Sequence, residues 1–191
     1  RAALHERIAA FIERTEAGTV DRELDLLAYH YGHSGNADKQ REYYARAGDA
    51  AQAAYANAAA IDYFERLVPL LEGTARVAVL LKLGKVVELV GDWKRAQDVD
   101  AQALALADSL GDAQGRAEAE TALAEVDRKH GRFDDALQRL ARAGHAFEAL
   151  DDASGQGRVK HLAGTIAAQR GDYPAAIAHY EASLAIRERI G

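Results

Sequence analysis

The chain has 191 residues, a formal charge of −6 at pH 7 and no cysteine, which excludes disulfides, cysteine-ligated zinc and iron–sulfur clusters. Alanine occupies 43 positions against two prolines and 7% aromatic residues, a composition that favours closely packed helices. The acidic balance argues against a nucleic-acid partner, and no apolar run approaches the roughly 18 residues of a membrane span. Because no signal peptide is visible, we expect a cytoplasmic protein with no membrane contact. The absence of methionine predicts a piece of a longer protein.

The N-terminal part predicts divergent helices. Residues 1–13 form an amphipathic pattern, and residues 15–20 are the most linker-like stretch, although it is only long enough for a turn. A further helix is predicted over 37–47, and a shorter helix pair over 49–56 and 58–71.

Three segments of the second half repeat at an offset of 40 residues, namely 81–110, 121–150 and 161–190. A glycine, an aromatic residue and an alanine recur at fixed positions in them: Gly91, Gly131 and Gly171, then Trp93, Phe133 and Tyr173, then Ala96, Ala136 and Ala176. Each segment predicts two antiparallel helices. The glycine permits the positive φ of a tight turn, the alanine allows close helix contact, and the aromatic residue fills the wedge between the helices.

The middle repeat illustrates the predicted boundaries. Its first helix is expected over 113–129 with Asp112 as N-cap, and its second helix from about Arg132 to Leu150. Asp92 and Asp172 are the predicted caps of the second helices in the neighbouring repeats.

This spacing resembles the tetratricopeptide repeat over about residues 75–191: a small residue, a glycine seven later, an alanine five further on, then another small residue after seven. The unit is 40 residues rather than 34, and no proline follows the second helix. The large aromatic of the family pattern is replaced by Val87, Asp127 and Ala167. For Asp127 we expect a partly exposed carboxylate, with a functional carboxylate as the alternative.

The resemblance implies an all-α fold, a right-handed α-solenoid of about eleven helices in antiparallel pairs. We expect one domain over 1–191. Within it, 1–72 holds divergent helices and repeats, and 73–191 holds the three regular repeats.

The first 71 residues are also similar to the helical segment that follows the ATP-binding module in bacterial multidomain nucleotide cyclases and large ATP-binding transcription regulators. The matching residues are Leu4-His5-x-x-Ile8-Ala9, Leu27-Ala28-Tyr29-His30-Tyr31, Gly35-Asn36, Ala45-x-Ala47-Gly48-Asp49 and Asn57-x-x-Ala60. This resemblance implies a sensing or docking arm, with catalysis elsewhere in the parent chain.

No catalytic residue and no cofactor is predicted, because the sequence has no phosphate-binding loop, no H-E-x-x-H motif and no nucleophile elbow. Gly155-Gln156-Gly157 is interpreted as a helix-to-helix turn. His30 and His33 have a spacing that could seed a metal site, but no third ligand follows nearby, so no metal site is predicted.

The tetratricopeptide resemblance further implies that the first helix of each pair lines a concave, ligand-binding groove. Carried over by register, the groove residues are Lys85, Glu88, Glu125, Arg128, Lys129, Arg158 and His161. Arg128, Lys129 and Arg158 are expected to form one basic patch that suits an acidic peptide. The alternative is that all seven are ordinary exposed helix residues.

We therefore interpret the chain as a protein or peptide interaction or sensing module, not an enzyme, whose partner is a protein or peptide, with domains of the parent protein as one option. Two alternatives stay open. One is a small-molecule sensor with a pocket near four tyrosines, Tyr29, Tyr31, Tyr43 and Tyr44. The other is a structural spacer between an ATPase and an output domain.

The last helix carries more apolar residues than its partner helix can cover, which predicts weak dimerisation through this end. These residues are Ile177, Leu184, Ile186 and Ile190.

Overall fold

A computed structural model describes residues 1–15 and 23–190, and these ranges contain ten α-helices and one 3-10 helix. The α-helices are α1 Ala2–Thr15, α2 Leu24–Gly32, α3 Ala37–Ala53, α4 Asn57–Leu67, α5 Gly73–Leu89, α6 Trp93–Leu110, α7 Ala113–Lys129, α8 Phe133–Ala149, α9 Ala153–Gln169 and α10 Tyr173–Ile190. The 3-10 helix is Val68–Leu70. The all-α prediction is confirmed. Positions 16–20 of the predicted linker lie outside the described residues.

The chain divides into two compact units, residues 1–91 and 92–191. In the first unit, consecutive helices from α1 to α5 pack on one another, and in the second unit those from α6 to α10 do the same. The single domain over 1–191 stays a prediction.

The repeat register is confirmed at its glycines and alanines. Gly131 has φ +74°, in the left-handed region that an L side chain rarely adopts, and its two register equivalents have φ +84° and +80°. Ala136 is completely buried, as is Ala96, and Ala176 is 3% exposed. These three alanines are therefore core positions, where we expect a larger side chain to be destabilising.

The predicted aspartate caps are also confirmed. Asp112 Oδ1 accepts the backbone N–H of Gly115 at 2.9 Å at the start of α7. Asp92 and Asp172 accept the corresponding N–H groups of α6 and α10 at 3.2 and 3.1 Å. Each cap satisfies an amide that the first helical turn leaves without a partner, a contribution of about 1 kcal/mol.

The predicted helix stop at position 48 is wrong, because α3 continues from Ala37 to Ala53. Gly48 lies inside this helix against the buried ring of Phe64, and a Cβ at Gly48 would approach the ring to 2.6 Å. The glycine thus permits close packing of α3 on α4 rather than ending a helix. The merger leaves ten α-helices in the described ranges, where about eleven were expected for the whole chain.

The interpretation of residues 155–157 as a turn is also wrong. Both glycines lie in the first turns of α9, and a Cβ at Gly155 would lie 2.4 Å from the ring of Phe147. Phe147 is completely buried and packs in the core of the second unit with Leu140 and Ile166. Position 155 therefore requires a glycine, because α8 places an aromatic ring against the start of α9.

The wedge-filling role predicted for the aromatic residues is wrong for two of the three. Trp93 is 40% exposed and Tyr173 66% exposed, whereas Phe133 is partly buried against the core. Each aromatic residue is the first of its helix, at the solvent end of the pair. Trp93 at the start of α6 packs edge-on against His130 at the end of α7, with ring centroids 5.6 Å apart.

Candidate functional site

The C-terminal end of α7 carries an arginine that its own helix neutralises. Arg128 donates two hydrogen bonds to Glu125, at 2.8 Å from Nε and 2.5 Å from Nη2. The side chain of Arg128 is only 13% exposed and that of Glu125 21%. Lys129 beside them is half-buried and also has an interaction partner. The positive charge of Arg128 is therefore largely compensated within the protein.

Arg158 lies at the start of α9 and links this helix to α7. Its Nη2 donates to Glu118 Oε1 at 2.5 Å, and its guanidinium lies 5.6 Å from the ring centroid of Phe147. The side chain stays 45% exposed. His161, one turn further along, is exposed and packs against the ring of Tyr180.

The structure does not bring the predicted basic residues together. Arg158 contacts Glu118, and Glu118 precedes Arg128 by ten residues on the same helix, a separation of about 15 Å at 1.5 Å per residue. Glu118, Glu125, Arg128, Arg158 and His161 instead form a band of charged and polar side chains over neighbouring helices, which we call the α7/α9 surface. Ligand binding there stays a prediction.

The two remaining predicted groove residues belong to the first unit. Lys85 Nζ lies 3.0 Å from Glu88 Oε2, and the lysine is 55% exposed while the glutamate is only 7% exposed. The pair lies on α5, where Glu88 is a buried acceptor rather than an exposed groove residue.

A buried ion cluster between α7 and α8 was not foreseen from the sequence. Arg139 donates to Asp127 Oδ2 at 2.8 Å and to Glu120 Oε2 at 2.9 Å. Arg132 makes a second bond to Asp127 at 2.6 Å, and Arg142 a second bond to Glu120 at 2.8 Å. The exposed carboxylate expected at position 127 is therefore wrong, since that side chain is 6% exposed.

The pairings of the cluster keep Glu120 and Arg139 charged. Burial raises the pKa of Glu120, but hydrogen bonds from Arg142 and Arg139 outweigh it, so the pKa lies below its usual value. Burial likewise lowers the pKa of Arg139, and its bonds to Asp127 and Glu120 raise it above the ordinary value. A signal was present in the sequence. Glu120 and Asp127 are seven residues apart, which places both on one helix face, and Arg132 and Arg139 have the same spacing.

In the first unit, three of the four tyrosines of the alternative pocket are core residues. Tyr31 and Tyr43 are buried and stacked with ring centroids 5.0 Å apart, and both hydroxyls donate to Glu13. Lys39 Nζ also donates to Glu13, at 2.8 Å. Burial raises the pKa of Glu13, yet these three hydrogen bonds lower it overall. Tyr44 is buried too, so these side chains do not present a tyrosine-lined pocket.

Three histidines gather beside the remaining tyrosine, Tyr29. His5 Nδ1 lies 3.0 Å from His30 Nδ1, the His33 ring stacks on that of His5, and Tyr29 packs on His33. Burial and the two neighbouring imidazoles lower the pKa of His30. Within 1–15 and 23–190, no group of three or more histidine, cysteine, aspartate or glutamate side chains is arranged to hold a metal ion.

The last helix carries exposed apolar side chains, as its sequence predicts. Ile177, Leu184 and Ile190 are 57%, 56% and 51% exposed, whereas Ile186 is buried. None of the described helices is long and apolar enough to cross a membrane.

Residues 75–143 match the family model of the tetratricopeptide repeat. This segment carries tetratricopeptide repeats. No curated protein matches the chain in sequence.

Solved structures match nearly the whole chain. BtubC (BKLC) from P. vanneervenii matches with a TM-score of 0.69 and 19% identity, over 97% of this chain and 74% of that one. YrrB, described as a TPR protein with an unusual peptide-binding site, matches with a TM-score of 0.62 and 17% identity, over 98% of this chain and 87% of that one. A Rap protein in complex with Competence and Sporulation Factor matches with a TM-score of 0.71 and 16% identity, over 97% of this chain and 54% of that one. At these identities the likeness establishes the fold, an array of antiparallel helix pairs of the tetratricopeptide type.

Proposed function

We propose that the chain is a protein-interaction module that binds a peptide segment of its partner on the α7/α9 surface. The observation that carries this is the tetratricopeptide array itself, in which first helices of successive pairs lie side by side, as α7 and α9 do. YrrB and the Rap protein, which share the fold, are described with a peptide-binding site and with a bound factor. Binding rather than catalysis is what such a surface supports.

The α7/α9 surface favours a partner that carries a carboxylate. Arg158 is the most exposed arginine of the surface, and its pair with Glu118 is an exposed one of low stability, about 0–1 kcal/mol. A partner carboxylate can therefore replace Glu118 at little cost, while Arg128 keeps its two bonds to Glu125. Such contacts contribute mainly to the association rate and depend on salt.

Selection of binders from a displayed peptide library, followed by titration of the selected peptides, tests the proposal. We expect acidic peptides to be enriched and Arg158→Glu to weaken their binding at least fivefold. Arg170→Glu is the matched control, because Arg170 is 47% exposed, pairs with an aspartate as Arg158 pairs with a glutamate, and lies at the end of α9.

The charge swap Arg158→Glu with Glu118→Arg separates binding from stability. It keeps an ion pair between α7 and α9 but moves the positive charge to the other helix. We expect wild-type stability together with altered peptide preference. Equal loss of binding in the Arg170 control, or unchanged binding in Arg158→Glu, contradicts the proposal.

Two further proposals concern context. We propose weak self-association through the exposed apolar residues of α10, which sedimentation at increasing concentration tests; a strict monomer contradicts it.

We also propose that the module serves a larger bacterial regulator in the cytoplasm, a view supported by the residues of the first 71 positions quoted above. Binding assays on the parent protein with and without the module test this.

A further inference from the structure

A cavity of about 380 Å³ lies between α8 and α10, with α9 beneath it. Leu140, Val159 and Ala163 form an apolar floor and are 2%, 7% and 7% exposed. Arg158 is not among the α9 residues that line this cavity, and its guanidinium instead contacts Glu118 of α7. The cavity is therefore separate from the α7/α9 surface.

The rim of the cavity carries charged and polar groups: Lys160, His145, His179, Glu148 and Gln156. The ammonium of Lys160 and the imidazoles of His145 and His179 form no hydrogen bond or ion pair with any side chain in 1–15 or 23–190. Three groups that can donate a hydrogen bond thus surround the apolar walls without a side-chain partner among the described residues. Among those residues, Glu148 is the one acidic side chain of the rim.

The neighbouring cavity, between α6, α7 and α8, has about the same volume, 390 Å³, but not the same chemistry. Its charges are paired within the protein, Arg116 with Asp108 at 3.3 Å and Arg142 with Glu120 at 2.8 Å. In the 40-residue register, Lys160 replaces Glu120 and an alanine replaces Arg142. His145 lines both cavities, so the unpaired groups particular to the α8/α9/α10 cavity are Lys160 and His179.

We propose that this cavity binds a small organic carboxylate with an apolar body. The apolar floor accepts the body, and Lys160 with the two imidazoles receives the carboxylate. A volume of about 380 Å³ is at the small end of ligand cavities, which favours a small molecule over a protein segment.

Titration with octanoate, followed by backbone amide NMR shifts, tests this proposal. We expect saturable shifts confined to α8, α9 and α10, with a dissociation constant of about 1 mM or below. Acetate, which lacks the apolar body, and octylammonium, which has the opposite charge, are expected to bind at least about fivefold more weakly.

Three variants identify the groups involved. Lys160→Met is expected to weaken octanoate binding about fivefold or more, whereas Lys94→Met, at an exposed lysine of α6, leaves it unchanged. Glu148→Gln is expected to tighten binding about twofold, because it removes a like charge from the rim. Lys160→Gln replaces Lys160→Met if the amide spectrum shows that the latter is unfolded.

The site is rejected if octanoate does not saturate up to about 10 mM, if Lys160→Met leaves its affinity within twofold, or if Glu148→Gln weakens it. Equal binding of octylammonium also rejects it. Peptide binding on the α7/α9 surface is unaffected by these outcomes, since Lys160 faces away from that surface.

Discussion

The middle and first repeats place opposite chemistry at three equivalent positions. The middle repeat has a buried ion cluster at these positions, formed by Glu120, Asp127 and Arg139. The first repeat has buried apolar residues there, Leu80, Val87 and Val99. Both repeats have helices of 17 or 18 residues and a positive-φ glycine after the first helix, but the aspartate cap begins the second helix of the first repeat and the first helix of the middle repeat. The same repeat pattern therefore accommodates either apolar side chains or mutually paired charges at these positions.

The third repeat has neither arrangement, and close approach of α9 and α10 holds its two helices together. A Cβ at Gly164 would lie 2.9 Å from the ring of Tyr180, and Ser183 Oγ donates to the Gly157 carbonyl at 2.8 Å. The corresponding positions of the ion cluster are Lys160, Ala167 and His179. Because small residues hold α9 and α10 together, Lys160 and His179 are free to line the cavity.

The largest effect is expected from breaking the ion cluster. Arg139→Met leaves two buried carboxylates with one arginine each, and we expect a loss of about 2–4 kcal/mol in the free energy of unfolding. Arg170→Met, which removes an exposed pair with Asp134, is the control and should cost at most about 1 kcal/mol. Urea denaturation measures both. Equal losses in the two variants would mean that the buried cluster contributes no more than a surface pair.

A smaller loss is expected from crowding the third repeat. Gly164→Ala places a methyl group against Tyr180 and the Ala176 carbonyl, and we expect a loss of about 1–3 kcal/mol. The middle repeat has Ala124 facing this kind of contact and Leu140 where Tyr180 stands. The double variant with Tyr180→Leu should therefore recover most of the loss, as a double-mutant cycle measures.

Gly144→Ala is the control for Gly164→Ala, because its Cβ would meet Val159 at an ordinary 3.5 Å. Helix propensity then favours alanine by up to about 1 kcal/mol. Destabilisation by Gly144→Ala as large as that by Gly164→Ala would show that loss of glycine, rather than contact with the tyrosine ring, determines the effect.

Features set by neighbours in sequence could be predicted, and features set by a distant helix could not. The turn at Gly131 and the cap at Asp112 depend on local backbone conformation and on amides three residues away, so their pattern is visible in the chain. Gly48 and Gly155 are also glycines, but for a different reason than Gly131: each lies against a buried aromatic ring of another helix. Asp127 is buried because α8 brings arginines to it.

The same distinction between local and long-range contacts explains which features of the candidate site could be predicted. The register correctly placed Arg158 and His161 on an exposed part of α9, because exposure follows helix periodicity. The pairing of Arg128 with Glu125, three residues earlier on α7, follows from helix spacing and could have been predicted. The pairing of Arg158 with Glu118 could not, because it depends on how α7 and α9 pack. A count of basic residues therefore overestimates the charge available to a partner.

Replacing the whole ion cluster sharpens the comparison with the first repeat. The triple variant Glu120→Leu, Asp127→Val, Arg139→Val installs the first-repeat residues together. We expect its free energy of unfolding to lie within about 1 kcal/mol of wild type or above it, because no buried charge is left without a partner. Arg132 and Arg142 keep contact with solvent, at 38% and 47% exposure. A loss as large as that of Arg139→Met would show that the α7–α8 contact is shaped specifically for the ions.

The smallest effect concerns acid. The pKa of Glu120 is lower in the folded chain than the ordinary value of a glutamate, so the unfolded chain binds the proton more readily. Its stabilising contribution is complete above the unfolded-state value and is lost as the pH falls through the folded-state value. The triple variant lacks both carboxylates of the cluster, Glu120 and Asp127, whereas Glu13 and Asp152, whose pKa values are also lowered, are present in both proteins and cancel in the difference. Between about pH 5 and pH 3, wild type should therefore lose more stability than the triple variant, as thermal unfolding at each pH measures. Parallel pH profiles would mean that the arginines do not hold Glu120 ionised in solution.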